Sequence, residues 1–270
     1  MTRRKMTSVL ALVAAVGLGL MTLSSCAAPQ VVAADSQSLK VVDSSENQVM
    51  VDEAFKPQVE EILPINNTDR KVTATCNRPA DSGVIVTFDD KGSPEQVQAI
   101  LGVLGELNWR AAFFPIGEWA EQNWGLIQLM QKEGHVVGNH TMTHPDLAKL
   151  FADDPDQFYG EVYPLRNLAT TSPMFLRPPK GSGLGDSQIA ELLTERDYQM
   201  CGWTADTNDW RGGTAEEMLQ RVMGGYEYSP EPLQPDGVVL AHMHGEHSVE
   251  FLRLLAAELD ERGWARERLR

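Results

Sequence analysis

From position 83 onward, short apolar runs alternate with longer amphipathic stretches. The run Gly83-Val84-Ile85-Val86-Thr87-Phe88 is β-branched and apolar, and it predicts a buried strand ending at Asp89-Asp90. Ser93-Pro94-Glu95 opens a helix, with Ser as the cap and Pro in the first position. Its apolar face is Val97, Ile100, Leu101, Leu104 and Leu107. Residues 110–114 predict a second strand. Residues 118–133 predict one helix, with Trp119, Leu126, Ile127 and Met130 inward and Gly134 as its stop. Val136-Val137 is a third strand. Residues 153–169 are weakly helical and interrupted by Pro164. Further strands are expected at 174–176, 198–203 and 237–241, and helices at 187–196, 214–223 and 248–262. Strands alternating with helices predict an α/β fold, as a parallel sheet or a βα barrel.

The first residues do not fit that pattern. Thr2-Arg3-Arg4-Lys5 is a positive start, and an apolar run of about a dozen residues follows from Val9 to Leu20, short for a membrane span. Leu23-Ser24-Ser25-Cys26 then resembles a bacterial lipoprotein signal, in which Cys26 is lipidated and becomes the mature N-terminus. The expected organisation is a signal peptide at 1–25, a polar tether at 26–71 with a short helix near 53–62, and a folded domain at 72–270. That places the domain outside the cell, anchored by lipid to the outer face of the bacterial membrane. There a disulfide is permitted. With Cys26 lipidated, Cys76 and Cys201 have only each other as an intramolecular partner, the alternative being two separate buried thiols.

The 270 residues carry 38 acidic and 23 basic side chains, a net charge of −15. This argues against nucleic acid or an anionic lipid surface as the partner.

The residues able to do chemistry sit at strand ends: Asp89, Asp90, His140, His144, Arg177, Asp209 and His242. In a βα barrel those positions converge on one face. His140 and His144 are spaced so that both rings can reach one cation, and Asp90 supplies a carboxylate. Three protein ligands leave positions for water, whose pKa such a site lowers. Asp89 and Asp90 are adjacent in an extended segment, so one can ligate while the other acts as a base. His242 is a candidate acid.

These motifs resemble the polysaccharide deacetylases with the NodB homology domain, carbohydrate esterase family 4. Thr87-Phe88-Asp89-Asp90 is similar to the family's first motif, and His140-Thr141-Met142-Thr143-His144 to its metal-binding motif. Phe175-Leu176-Arg177-Pro178-Pro179, Asp209-Trp210 and Leu240-Ala241-His242 follow in the family's order. The resemblance implies a distorted (β/α) barrel that holds Zn²⁺, or Co²⁺, Mn²⁺ or Ni²⁺, on Asp90, His140 and His144. It implies Asp89 as base oriented by Arg177, His242 as acid tuned by Asp209, and an acetyl pocket of Trp210 and Leu240. The backbone N–H of Lys180 takes the place of an oxyanion donor. Asp206 is an alternative partner for His242. Trp203 is a candidate sugar-stacking face. His135, His244 and His247 are expected at caps or exposed loops.

Three departures stand out. Lys91 replaces a Gly, and Lys180 replaces a Tyr. After Gly263-Trp264 the tail is poor strand material, so the barrel is expected to close imperfectly. The expected substrate is an acetylated glycan, with peptidoglycan or a chitin-like chain foremost. A catalytically impaired glycan-binding lipoprotein and a small-molecule amidase are the competing classes.

Overall fold

The computed structural model describes Cys76 and residues 83–168, 170–171, 173–226, 229 and 231–269. The signal peptide, Cys26, the tether and its short helix lie outside the described residues.

The strands are β1 (Ile85–Asp90), β2 (Ala112–Pro115), β3 (Val136–Val137), β4 (Met174–Leu176), β5 (Tyr198–Met200), β6 (Ala205–Asp206) and β7 (Val238–His242). Their ladders are all parallel. One sheet has the order β3-β2-β1-β7-β6 and a second pairs β4 with β5. A parallel bridge from Asn139 to Leu176 joins the two. Read through that bridge, the order 5-4-3-2-1-7-6 is that of a barrel. Among the described residues no ladder joins β5 to β6, so the ring is open there.

Strand periodicity separates two cores. Val84, Val86 and Phe88 pack with Val97, Ile100 and Leu104 of α1 (Pro94–Glu106) and with Phe251, Leu255 and Leu259 of α8 (Ser248–Arg262). Each such fully buried side chain contributes on the order of 1.5–3 kcal/mol. Ile85 faces the other way, into a smaller cluster with Ala112, Phe114, Val136, Phe175, Val238, Cys76 and Cys201. Thr87 and Asp89 share that inner side by the same period. Cys76 and Cys201 are disulfide-bonded within this cluster.

Local details differ from the sequence expectations. The helix expected over 118–133 is two, α2 (Gly117–Gln122) and α3 (Trp124–Lys132), broken where Asn123 leaves helical geometry at φ −121° and ψ 35°. An unforeseen helix, α4 (Leu147–Asp153), is capped by Asp146, whose carboxylate accepts the Lys149 N–H at 3.1 Å. After it come α5 (Pro155–Val162), α6 (Ser187–Thr194) and α7 (Ala215–Gly224). The single strand expected at 198–203 is split between sheets. Cys201 N–H donates to Leu176 at 2.8 Å, whereas Thr204 N–H donates to Val238 at 2.9 Å. The tail is not loose, because Val84 N–H donates to Ala265 at 2.8 Å and Glu267 N–H to Val84 at 2.9 Å, with Leu269 buried. The imperfect closure lies instead between β5 and β6. His135 is neither a cap nor a surface residue. It is buried and accepts the Ala111 N–H at 3.1 Å, and burial, aided by Arg110, pushes its pKa down to about 4.

Candidate active site

A cavity of about 550 Å³ opens at the C-terminal ends of the strands. Asp89, Asp90, His140, His144, Lys180, Trp210, Leu240 and His242 all line it, together with Trp203, Asp206, Asn208 and His244. Arg177 and Asp209 stand behind its wall, bonded to residues that line it.

Asp90 does not diverge from Asp89 by strand alternation alone. Its φ of 71° turns its side chain back over the barrel mouth. Its Oδ1 lies 3.2 Å from Nε2 of both His140 and His144. The histidines lie on an irregular loop rather than a helix, with positive φ at Thr141 (67°) and His144 (68°). His140 Nδ1 is 2.8 Å from the Arg177 carbonyl, which can only accept. In the neutral ring the proton therefore sits on Nδ1, and Nε2 points its lone pair at Asp90. Asp90 Oδ1 is buried and accepts no hydrogen bond from the described residues. Acceptors converging without a donor repel one another, and a divalent cation among them removes that repulsion. Asp90, His140 and His144 thus fit such an ion. Burial works to raise the Asp90 carboxyl, but the adjacent His140 and His144 rings, wherever they carry a second proton, and the charge of His242 outweigh it and hold the carboxyl well below the usual range.

Two acid–base pairs flank this trio. In the first, Asp89 Oδ1 accepts from Arg177 Nη1 at 2.8 Å. Arg177 is completely buried, and its remaining donors go to Thr87 Oγ1 (2.6 Å) and the carbonyls of Cys201 (3.0 Å) and Gly202 (2.8 Å). Its guanidinium also stacks 4.3 Å from the Phe114 ring. Burial lowers its pKa, with Asp89 acting against that, and it stays charged throughout the working pH range. In the second, His242 Nδ1 bonds Asp209 Oδ1 at 2.6 Å, and the His242 N–H donates to Asp209 Oδ2 at 2.8 Å. Burial disfavours the imidazolium, but the Asp209 bond, with the charges of Asp209, Asp89 and Asp90, pushes the His242 pKa up to about 9. Asp206 is not the partner of His242. It accepts the Asn208 N–H at 2.8 Å, and burial raises its carboxyl against that bond.

Close backbone approaches hold these loops. A Cβ on Gly245 would come within 2.5 Å of Asp209 Oδ2. Gly92, one position after Lys91, fits against the Met243 carbonyl, which a Cβ would meet at 2.3 Å. Lys180 sits in the left-handed region at φ 59°. Trp210 is exposed at the rim.

One supporting residue carries no signal in a single sequence. Glu161, buried at the end of α5, accepts both the Thr143 N–H and the Thr143 hydroxyl at 2.8 Å. It pins the loop between the two histidines. Thr87, inside the first motif, bridges the site to the sheet: its hydroxyl accepts from Arg177 Nη1 and donates to the Val239 carbonyl at 2.8 Å.

Residues 77–201 match the model of the polysaccharide deacetylase family. That span holds Asp89, Asp90, His140, His144 and Arg177, with Asp209 and His242 beyond it. The chain is 35% identical to a peptidoglycan-N-acetylglucosamine deacetylase of Bacillus cereus over 185 residues, which are 67% of this chain and 64% of that protein. It is similar to the crystal structure of the Bc1960 peptidoglycan N-acetylglucosamine deacetylase, with 31% identity, a TM-score of 0.58, and coverage of 70% of this chain and 92% of that one.

The chain belongs to the polysaccharide deacetylase family.

A more distant member, the peptidoglycan-N-acetylglucosamine deacetylase PgdA of Listeria monocytogenes, is 28% identical over 194 residues, 70% of this chain but 37% of that protein. The deacetylase domain thus spans less than two thirds of either curated relative.

Proposed function

We propose that this deacetylase-family chain is a metal-dependent hydrolase that removes acetyl groups from a cell-envelope glycan, with N-acetylglucosamine of peptidoglycan foremost. One observation carries the reading: Asp89, backed by Arg177, and His242, backed by Asp209, flank the Asp90–His140–His144 trio in one cavity. The named activities of the Bacillus and Listeria relatives support it.

The trio would hold Zn²⁺ or a similar ion, which when bound supplies Lewis-acid polarisation of an acetyl carbonyl and acidifies water. Asp89, oriented through Oδ1 by Arg177, keeps Oδ2 facing the cavity as the base that takes a proton from the attacking water. The Lys180 N–H donates to the oxygen that gains charge at the acetyl carbon. This role needs only the backbone, so Lys in place of Tyr leaves it intact. His242 is held as imidazolium by Asp209 and delivers a proton to the departing nitrogen. Leu240, Trp210 and Trp203 all line the cavity, where the first two would receive the acetyl group and Trp203 would offer its face to a sugar ring.

The test is acetate release from peptidoglycan, chitin oligomers and acetylated xylan with added Zn²⁺. Glycan binding without any release would overturn the enzyme reading. Release only from small non-sugar amides would favour an amidase. Export and lipid anchoring rest on Leu23-Ser24-Ser25-Cys26. Membrane fractionation checks them, since Cys26→Ser should move the protein out of the membrane fraction.

The His242 pair predicts a pH effect. An acid must be protonated to act, and its raised pKa extends activity toward about pH 9. Asp209→Asn removes the main raising influence, so the alkaline limb of kcat/KM should move down toward the ordinary imidazole value of 6.5. An unmoved limb would exclude His242 as the acid.

A further inference from the structure

We propose that the Cys76–Cys201 disulfide positions the Arg177–Asp89 pair, acting from the barrel interior on the catalytic base. This rests on the hydrolase reading, and it assigns the bridge a role beyond holding the fold together.

The Arg177 guanidinium has two edges. Nη1 spends its donors on Asp89 and Thr87, while Nε and Nη2 are taken up by the carbonyls of Cys201 and Gly202. The direction in which Nη1 points is therefore set by where residues 201 and 202 lie. Those residues fall between β5 and β6, at the opening in the barrel where no ladder joins neighbouring strands among the described residues. Among the described residues, backbone pairing holds this segment only at its ends, through the Cys201 N–H to Leu176 and the Thr204 N–H to Val238. The covalent bridge supplies the tie that the missing ladder does not. It fastens Cys201 to Cys76, which precedes β1 in the chain and is buried with Ile85, the inward residue two turns of the pleat below Asp89. Cys201 Sγ itself lies 3.8 Å from Arg177 Nη2. The base and the carbonyls that aim its arginine are thus coupled through one covalent link. Without it, the segment at 201–202 gains freedom. Arg177 then follows its carbonyls, and Asp89 loses its fixed orientation. An error of about 1 Å in placing such a group costs on the order of 100-fold in rate.

Cys76→Ser is the variant of choice, because Cys76 does not bond Arg177. Acetate release is measured at 25 °C on protein shown folded by circular dichroism. The expected result is a 10- to 100-fold fall in kcat with KM within about threefold of wild type. In an Arg177→Lys background, which breaks the link from the Cys201 and Gly202 carbonyls through the guanidinium to Asp89, Cys76→Ser should add little further loss, since both act through the same contact. Should Cys76→Ser fail to fold, the folded wild type is reduced instead with a water-soluble phosphine. That converts the disulfide, phosphine and one water into two thiols and the phosphine oxide, and the same fall in kcat is expected. An unchanged kcat with a lowered Tm would overturn the proposal, leaving the bridge a stabilising staple. An equal loss in both Arg177 backgrounds would overturn it too. If oxidised wild type releases no acetate from any glycan, the hydrolase reading fails and this proposal falls with it.

Discussion

Asp89→Asn should lower kcat for acetate release by roughly 10²- to 10⁴-fold, the range associated with losing a general base. The replacement is nearly isosteric, and its oxygen can still accept from Arg177 Nη1, now at 2.8 Å from the carboxylate. What disappears is the capacity to take a proton, together with the only carboxylate bonded to a wholly buried guanidinium among the described residues. Leaving that charge uncompensated costs roughly 3–5 kcal/mol of stability. The rate must therefore be expressed per folded molecule, with the folded fraction taken from a denaturation curve. Asp90, His140 and His144 are untouched, so the variant should still bind one equivalent of Zn²⁺. A folded, zinc-loaded variant within tenfold of the wild-type kcat would remove Asp89 from the mechanism.

His140→Ala should have the larger effect on metal. It deletes one of three ligands and leaves the Arg177 carbonyl without the imidazole N–H now 2.8 Å away. Glu161→Gln offers a graded comparison. It keeps every ligand but puts an amide donor against the Thr143 N–H or hydroxyl, groups that both donate to the carboxylate at present. Loss of a supporting bond of this kind typically weakens metal affinity 10- to 100-fold. His140→Ala should exceed that, and competition against a chromophoric chelator measures both. Dialysis of the wild type against a strong chelator should abolish acetate release, and Zn²⁺ or Co²⁺ should restore it. Wild-type zinc affinity in His140→Ala would show that the ion binds elsewhere.

The sequence shows the fold's rhythm well because β-branched runs and capped amphipathic helices are local features. Ser93 and Thr214 cap helices in the structure as their neighbours suggest, with Thr214 completing a capping box with Glu217. Less legible are features decided by tertiary contact. Residues 198–203 read as one strand, yet the chain changes partner after Cys201, from Leu176 to Val238. His135 follows a helix-ending glycine and reads as polar surface, but its ring packs edge-on against Phe113 in the core. The site residues at strand ends are visible because their types and spacing are chemical. Glu161 is not, since one glutamate on a short helix looks like any solvated charge until its two bonds to Thr143 are seen.

The backbone at the cavity carries a further meaning. Asp90, Thr141, His144, Lys180 and Asn208 all have positive φ without being glycine. Each such residue holds a conformation that costs of order 1 kcal/mol or more, and that glycine adopts freely. A population selected for thermal tolerance alone would therefore drift toward glycine at these positions, starting with Lys180, whose side chain is exposed. The reactive groups of Asp90 and His144 would be erased by the same pressure. Robustness and activity thus pull the same few residues in opposite directions, and the cavity mouth is where that conflict is concentrated.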